Sequence, residues 1–583
     1  MSTTIRMCRF GYFGKNNKYM AKDYSKLEKD DLLKVIEKLE SRKKYGLVWD
    51  EEKTKEQFEK ESENALPVLK EVKGKEIKTD SAKPTNILIE GDNYHALSVL
   101  NYTHQGKVDV IYIDPPYNTG NKSWKYNNQY VEKDDAYKHS KWLSFMSKRL
   151  RLAKNLLKDE GIIIVTIDDY EIGNLNLLMN EIFGEDNKLV VVTIMHNPRG
   201  RSDDKYFATS HEYALFYGLN TQFTKTNKLK LTEEQVEGFP LEDKISFYRL
   251  LPLKRTGSNS TPDKRPNLFY PIYYNKKTKQ VSVEEEKNKD WVKILPMDSN
   301  NGKRVWRWGK VSFTEKAETE IVIKENSGKY TVFAKDRIKG GRKPKTVWAD
   351  PKYDASSHGT ILLQKILGKS RSFDYTKSLY AVFDTLQICI DNNKEATILD
   401  FFAGSGTTGH AVLALNKKDG GNRKFILCTN NENGIAEEVC YPRIKKCING
   451  YPRFSGYGGE LKYYKTAFVK NSISRDDFKI RITRECTEML CLREGIFDEV
   501  KSKPDYHIFE QNGRVMAVYY ALERDGLEQL KKELDKMKGE KNLYCFTLDP
   551  LGLDKKEFAN WEDVKLEPIP QKILDIYEHI YEY

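Results

Sequence analysis

The sequence predicts an α/β fold on a largely parallel sheet, interrupted once by a basic insertion. Three observations carry that reading. Short apolar runs alternate with amphipathic stretches from residue 85 to about 219, and the same texture resumes from Gly359 to about residue 470. Alternation of this kind builds parallel sheets, because each crossover must travel back along the sheet before the next strand can start. Between the two stretches, residues 220–355 lose clear periodicity and are dotted with Tyr, Trp and Phe. Residues 196–355 hold 32 Lys+Arg against 21 Asp+Glu, a net of +11 out of the chain's +12.

The elements follow in order. Residues 1–80 form an N-terminal segment rich in Lys and Glu, where Leu32, Leu33, Ile36 and Leu39 sit at helical spacing. Residues 86–90 read as a buried strand, 93–100 as a helix, and 108–113 as a second strand ending at Asp114. Residues 139–158 read as a long helix stopped by Gly161, and 162–167 as a third strand. Beyond the insertion, 360–367 and 378–390 read as helices, 396–402 as a strand, 407–416 as a helix and 424–429 as a strand. After 471 come a helix, two strands around 506–520 and a helix at 527–537. The predicted units are therefore 1–80, 81–219, 220–355, 356–470 and 471–583, with 81–219 and 356–470 as two halves of one domain.

Composition removes several classes. With 583 residues the chain is long enough for several lobes. Its longest apolar runs, 161–167 and 189–195, fall far short of the roughly 20 residues of a membrane span. No secretory apolar segment follows Met1. Eight cysteines without a CxxC pair point to a reducing cytoplasm, against a disulfide scaffold or zinc module. A localised basic excess points to a polyanion partner, since each phosphate contact releases counterions.

Two motifs carry chemistry. Asp114-Pro115-Pro116-Tyr117 directly follows a buried-looking strand, which places it at the carboxyl edge of the sheet, where ligands bind. The prolines stiffen the turn. A carboxylate, a rigid carbonyl and an aromatic face then converge on one spot. That set suits the exocyclic amino group of a planar base, with Asp114 and a proline carbonyl accepting its N–H bonds and Tyr117 stacking on the ring. The plainer alternative is a turn that merely ends a strand. The second motif, Asp400-Phe401-Phe402-Ala403-Gly404-Ser405-Gly406-Thr407, also joins a strand to a helix. Its glycines let the backbone approach a ligand, and the helix start offers free N–H groups. The spacing Gly404-x-Gly406-x-x-Gly409 matches a dinucleotide fingerprint formally. The aromatic entry and Thr407-Thr408 suit a nucleoside without pyrophosphate better.

Together, in the order Asp-Pro-Pro-Tyr, basic insertion, Phe-x-Gly-x-Gly, the motifs make the chain resemble the β-class amino-methyltransferases of DNA. The longer context resembles the modification (Mod) subunit of type III restriction–modification systems. The stretches that carry this are 45–49, 89–93, 111–120, 142–169, His211-Glu212-Tyr213, 356–360 and 398–416, and the likeness spans roughly residues 30–470. It implies a Rossmann-like S-adenosylmethionine-dependent methyltransferase sheet with circularly permuted motif order, in which the insertion is a target-recognition domain.

Carried over by residue, the resemblance gives Asp114, Pro115, Pro116 and Tyr117 the target base. It gives residues 400–407 and Asp92 the cofactor, S-adenosyl-L-methionine. Lys377 matches a segment that meets the methionine end, although Thr376-Lys377-Ser378 stands where the family shows Pro-Lys-Pro. The ribose-binding acid is unmatched, and Glu432 occupies its place. Arg199, Arg201, Arg342, Lys343 and Lys345 are phosphate contacts or a solvated face. The implied reaction is methylation of adenine N6 in double-stranded DNA after base flipping, since the base cannot be reached inside a duplex. The resemblance also leaves room for a homodimer, and for a separate restriction (Res) subunit with ATPase and nuclease. Residues 471–583 would then offer a contact surface. An N4-cytosine methyltransferase, a catalytically silent specificity subunit and an RNA methyltransferase remain as alternatives. Asp114 favours adenine, because the cytosine enzymes more often carry Ser there.

Several chemistries lack their residues. No cysteine follows a proline, as cytosine C5 methylation would require. Gly368-Lys369-Ser370 resembles the end of a P-loop, but position 363 is Leu. Residues 504–512 lack the lysine of a nuclease site. No metal is expected, and His196, His211 and His358 lack ligand spacing. Trp306, Trp308 and Trp348 read as core.

Overall fold

A computed structural model describes residues 65–581, apart from 120–137, 202–203, 286–288, 370–372, 374–375, 391, 473, 550 and 555. The helical spacing at 32–39, the 45–49 match, Gly120 and Ser370 lie outside the described residues.

The chain runs through β1 (Ala65–Glu71), β2 (Ile77–Lys78), β3 (Thr85–Glu90), β4 (Val108–Ile113), β5 (Leu157–Ile167), β6 (Lys188–Ile194) and β7 (Glu212–Gly218). In the insertion follow β8 (Leu241–Glu242), β9 (Phe247–Pro252), β10 (Ile272–Asn275), β11 (Val281–Ser282), β12 (Trp291–Ile294), β13 (Ile321–Asn326) and β14 (Lys329–Arg337). The main sheet resumes with β15 (Val347–Trp348), β16 (Thr397–Asp400), β17 (Lys424–Thr429) and β18 (Glu460–Lys470). The C-terminal strands are β19 (Glu499–Ser502), β20 (Tyr506–Gln511), β21 (Arg514–Tyr519), β22 (Glu540–Phe546) and β23 (Val564–Ile569).

The main sheet has the order β1-β18-β3-β17-β16-β4-β5-β7-β6-β15, with β2 also on β18. Strands β18, β3, β17, β16, β4 and β5 are mutually parallel, and β7 is reversed between β5 and β6. Alternate residues of each strand feed opposite faces, as the pleat dictates. Ile87, Ile111, Ile163, Leu399 and Ile426 pack against one layer of helices, Asn93–Thr103, Lys138–Lys154 and Ile172–Phe183. Leu88, Val110, Ile162, Ile398 and Leu427 pack against the other, Leu379–Ile390, Thr407–Asp419 and Tyr441–Asn449. The order reverses between β4 and β16, which come from opposite sides of the insertion yet pair directly, Val110 with Ile398 and Ile111 with Leu399.

Four local expectations change. Within the segment read as helical, Ala65–Glu71 is an edge strand antiparallel to β18. Pro67 is compatible with an edge strand and unsuited to a helix interior. The long helix ends at Lys154 and strand β5 starts at Leu157. Leu156 and Leu157 extend the helical apolar pattern, which hides the boundary. Gly161 sits in a bulge rather than a helix stop: the β4–β5 register jumps from Val108–Leu157 to Val110–Ile162, and a Cβ at Gly161 would lie 2.9 Å from Lys158 O. The described residues of the insertion form antiparallel sheets β11-β10-β12 and β13-β14-β9-β8 around Trp306, Tyr270, Ile272 and Phe313. Trp306 and Trp348 are buried there and beside the main sheet, and Trp308 packs on the insertion core.

The C-terminal part is a five-stranded sheet, β19-β20-β21-β22-β23, more than the two strands and two helices read from sequence. Its helices Thr487–Glu494 and Gln571–Tyr581 share a core with helix Asn93–Thr103. Tyr577 Oη donates to Pro67 O at 2.5 Å. Much of this part therefore covers the chain's own main domain. Among the described residues no helix is long and apolar enough to cross a membrane.

Candidate active site

The carboxyl ends of β3, β17, β16, β4 and β5 form one edge, and both motifs stand on it. Asp114 follows β4. Its Oδ1 accepts from the Tyr117 hydroxyl at 2.8 Å and from Thr166 Oγ1, on β5, at 2.7 Å, and lies 3.1 Å from Lys377 Nζ. Among the described residues, its hydrogen bonds and ion pair all fall on Oδ1. The Pro116 carbonyl accepts from Trp142 Nε1 at 2.7 Å. Asn118, at φ 57, donates to the fully buried Glu171, whose Oε1 also lies 2.6 Å from His139 Nδ1. These bonds hold the turn from behind.

Sequence reasoning quoted Glu212 inside His-Glu-Tyr and gave it no role. The reversed strand β7 begins with it, directly beside the turn. Its Oε2 accepts from Tyr117 Oη at 3.0 Å and lies 2.5 Å from Lys377 Nζ. Lys377 also bonds the Tyr117 hydroxyl and sits 4.7 Å from that ring's centre. Burial alone would push Lys377 down, but Asp114 and Glu212 beside it hold it up at about 12. Burial pushes Glu212 up, and the Lys377 charge overrides it and keeps the carboxyl below its usual range. Burial, with Asp114 and Glu212, pushes the Tyr117 phenol well up. Lys377 thus joins the Asp114 cluster. Gly359 makes this placement feasible. A Cβ there would meet Thr376 O at 2.2 Å and Lys377 O at 2.9 Å.

The second motif occupies the neighbouring strand end. The buried Asp400 carboxylate accepts from Phe402 N–H at 3.0 Å and from Thr408 Oγ1 at 2.6 Å, so it ties the loop to the helix that follows. Burial pushes it up to about 7. Gly404 and Gly406 take φ of 49° and 77°, a region that costs little only for glycine, and a Cβ at Gly406 would sit 3.1 Å from Cys440 Sγ. Ala403 N–H donates to Cys428 O at 3.1 Å. Phe401 and Phe402 are buried. The side chains of Ser405 and Thr407 turn inward to the buried Arg443, at 3.1 and 2.8 Å, and the Ser405 carbonyl accepts from the same guanidinium at 3.4 Å. Asp92 caps helix Asn93–Thr103 through Tyr94 N–H at 2.7 Å, and Asn93 Nδ2 donates to Phe401 O at 2.9 Å.

A nucleoside cofactor fits this edge. Among the polar atoms buried there without a partner are Thr376 Oγ1, next to Lys377, and Asn430 Oδ1, just past the end of β17; Asn118 Oδ1 and His196 Nδ1 are two more. Asn430 stands where a ribose-holding group was sought, and Glu432 lies further out in a short 3-10 turn. The predicted phosphate contacts separate. Arg199 and Arg201 are exposed on the β6–β7 connection, at the carboxyl edge. Lys343 and Lys345 are exposed on the approach to β15, which pairs with the end of β6. Arg342 is half-buried beside Tyr353 with Nε unpartnered.

Residues 108–439 match the family model described as a DNA methylase. Among curated relatives, the EcoPI Mod subunit of a type III restriction–modification enzyme, from Escherichia phage P1, is 34% identical over 60% of this chain and 58% of its own length. The type II methyltransferase M.KpnI of Klebsiella pneumoniae is 36% identical over 60% of this chain and 82% of its own. The StyLTI Mod subunit of Salmonella typhimurium is 32% identical over 62% of this chain and 55% of its own. The chain thus spans little more than half of the two Mod relatives. The family match covers more than half of this chain, from the strand before Asp114 past the helix after Gly406, and the chain belongs to the DNA methylase family.

Proposed function

We propose that the chain transfers a methyl group from S-adenosyl-L-methionine to N6 of an adenine flipped out of double-stranded DNA, as the modification subunit of a type III restriction–modification system. One observation carries this reading: β4 and β16, the strands that run into Asp114 and Asp400, are paired parallel neighbours, so both motifs leave the same edge side by side. When bound, S-adenosyl-L-methionine supplies an electrophilic methyl group on a positively charged sulfur. The Asp400–Gly406 backbone, Asn430 and Thr376 would hold it. Asp114 Oδ2 and Pro115 O accept the two N–H bonds of the adenine amino group, which draws its lone pair out of ring conjugation. Tyr117 stacks on the base, worth about 1–3 kcal/mol. Positioning then supplies most of the rate. After transfer the nitrogen carries a surplus proton, and Asp114 is the nearest acceptor. The Mod relatives are each named as one subunit of a larger enzyme, which supports a separate Res partner.

The test is transfer of label to duplex DNA, with the modified base identified by mass spectrometry and Asp114→Ala as control. N6-methyladenine lost in the variant supports the proposal. N4-methylcytosine would change the base, and no transfer despite intact DNA binding would favour a specificity subunit.

A further inference from the structure

The connection between β6 and β7 rises from the carboxyl edge immediately beside Glu212. The two strands pair as far as Ile194 and Glu212, and the hairpin continues past the sheet. Asn197 N–H donates to Ser210 O at 3.1 Å, and Arg201 N–H to Thr209 O at 3.1 Å. The arm is pinched at Gly200, φ 72°, where a Cβ would come within 2.6 Å of Ala208 Cβ. The exposed Asp204 carboxylate accepts from Thr209 N–H at 2.8 Å, which ties the two sides of the arm together. At the tip, Tyr206 is 80% and Phe207 88% exposed. Lys205 lies 5.1 Å from the Tyr206 ring, and Arg199 and Arg201 are exposed on the same arm.

Adjacent aromatics held out in water on a braced arm bury nothing in the free protein. Their position states what they meet. At about 3.3 Å per residue, five or six residues place the tip at most roughly 20 Å from Glu212. A duplex groove about 12 Å wide and 8.5 Å deep fits within that reach. The cations beside the rings complement its phosphates.

We propose that Tyr206 and Phe207 form a wedge that enters the duplex at the target base pair and fills the stack that the flipped base leaves. This rests on the duplex-DNA reading above. A flipped base leaves two unstacked faces, and apolar or aromatic side chains inserted between base steps offset that cost. The wedge lowers the free energy of the extrahelical state and takes no part in methyl transfer itself.

The experiment starts by mapping the methylated site on genomic DNA treated with the wild-type chain. Oligonucleotide duplexes carrying that site are then methylated in single turnover, and a second set carries 2-aminopurine at the target. The double variant Tyr206→Ala, Phe207→Ala should melt as the wild type does and bind S-adenosyl-L-methionine unchanged. Its methylation rate should fall by roughly tenfold, the scale of one lost base–aromatic stack. The 2-aminopurine signal of extrusion should fall with it. The defect should shrink when the target adenine is mispaired, because a mispaired base is easier to extrude. Tyr206→Phe with Phe207→Tyr keeps both rings and should keep the rate.

Equal rates and equal extrusion in wild type and the alanine variant would overturn the wedge alone. A defect of the same size on paired and mispaired duplexes would also overturn it, as would a variant that only dissociates a dimer. A wild-type chain that methylates no duplex would overturn the functional reading first, and the wedge with it.

Discussion

Replacing Lys377 with Met probes the centre of the site. The ammonium lies 2.5 Å from Glu212 and 3.1 Å from Asp114, and the Lys377 and Glu212 side chains are only 14% and 3% exposed. Met keeps the stem and removes the charge. Two unit charges 2.5 Å apart attract by about 7 kcal/mol at an effective dielectric near 20. Desolvation of both groups offsets much of this, and removing one partner of a buried pair costs about 3–5 kcal/mol. That loss is expected at pH 8. In the variant, burial would act on Glu212 without its main opposing charge and raise its pKa above the unfolded value. The folded state would then bind the proton that the unfolded chain has released, so the deficit should narrow toward pH 5. Lys377 itself stays charged across this range. Urea unfolding of wild type, Lys377→Met, Glu212→Gln and the double variant at both pH values gives a cycle with coupling of at least about 2 kcal/mol. A deficit below about 1 kcal/mol, equal at both pH values and uncoupled to Glu212, would refute the account.

Two further outcomes are expected. Gly359→Ala should lower both Tm and methyl transfer, although Ala favours helical turns by about 1 kcal/mol, because the new Cβ meets Thr376 O at 2.2 Å. An alanine variant as stable and active as wild type would show that this close approach does not hold the Lys377 segment. Burial pushes Asp168 up to about 6, against one N–H bond from Tyr170. Wild-type stability should therefore fall as pH rises from about 4 to 6, while the folded state holds a proton the unfolded state has lost. Asp168→Asn should lack that decline and gain up to about 3 kcal/mol at pH 8 relative to pH 4. Thermal melts across the range that stay parallel for both proteins would contradict it.

The local chemistry was legible because it is written in consecutive residues. A strand running into Asp-Pro-Pro-Tyr, and another running into Gly-Ser-Gly and a helix, place their side chains through short-range geometry alone. Trp306 and Trp348 could be read as core from their surroundings. The boundary at Leu156 could not, because an apolar strand entry continues an apolar helix face. Nor could β1, whose partner β18 lies some 400 residues away.

What the sequence by itself determined is the pair of motifs, their order around a basic insertion, and the α/β character of the two halves. Only the tertiary structure decided that β4 and β16 are neighbours, that Glu212 enters from a reversed strand, and that Lys377 bridges Glu212 and Asp114. It also decided that Trp142 takes Pro116 O and that Glu171 anchors Asn118. The physical reason is common to all of these. Contacts between groups tens to hundreds of residues apart depend on strand order and register. Those follow from how the whole set of apolar faces is buried at once, which no local pattern records.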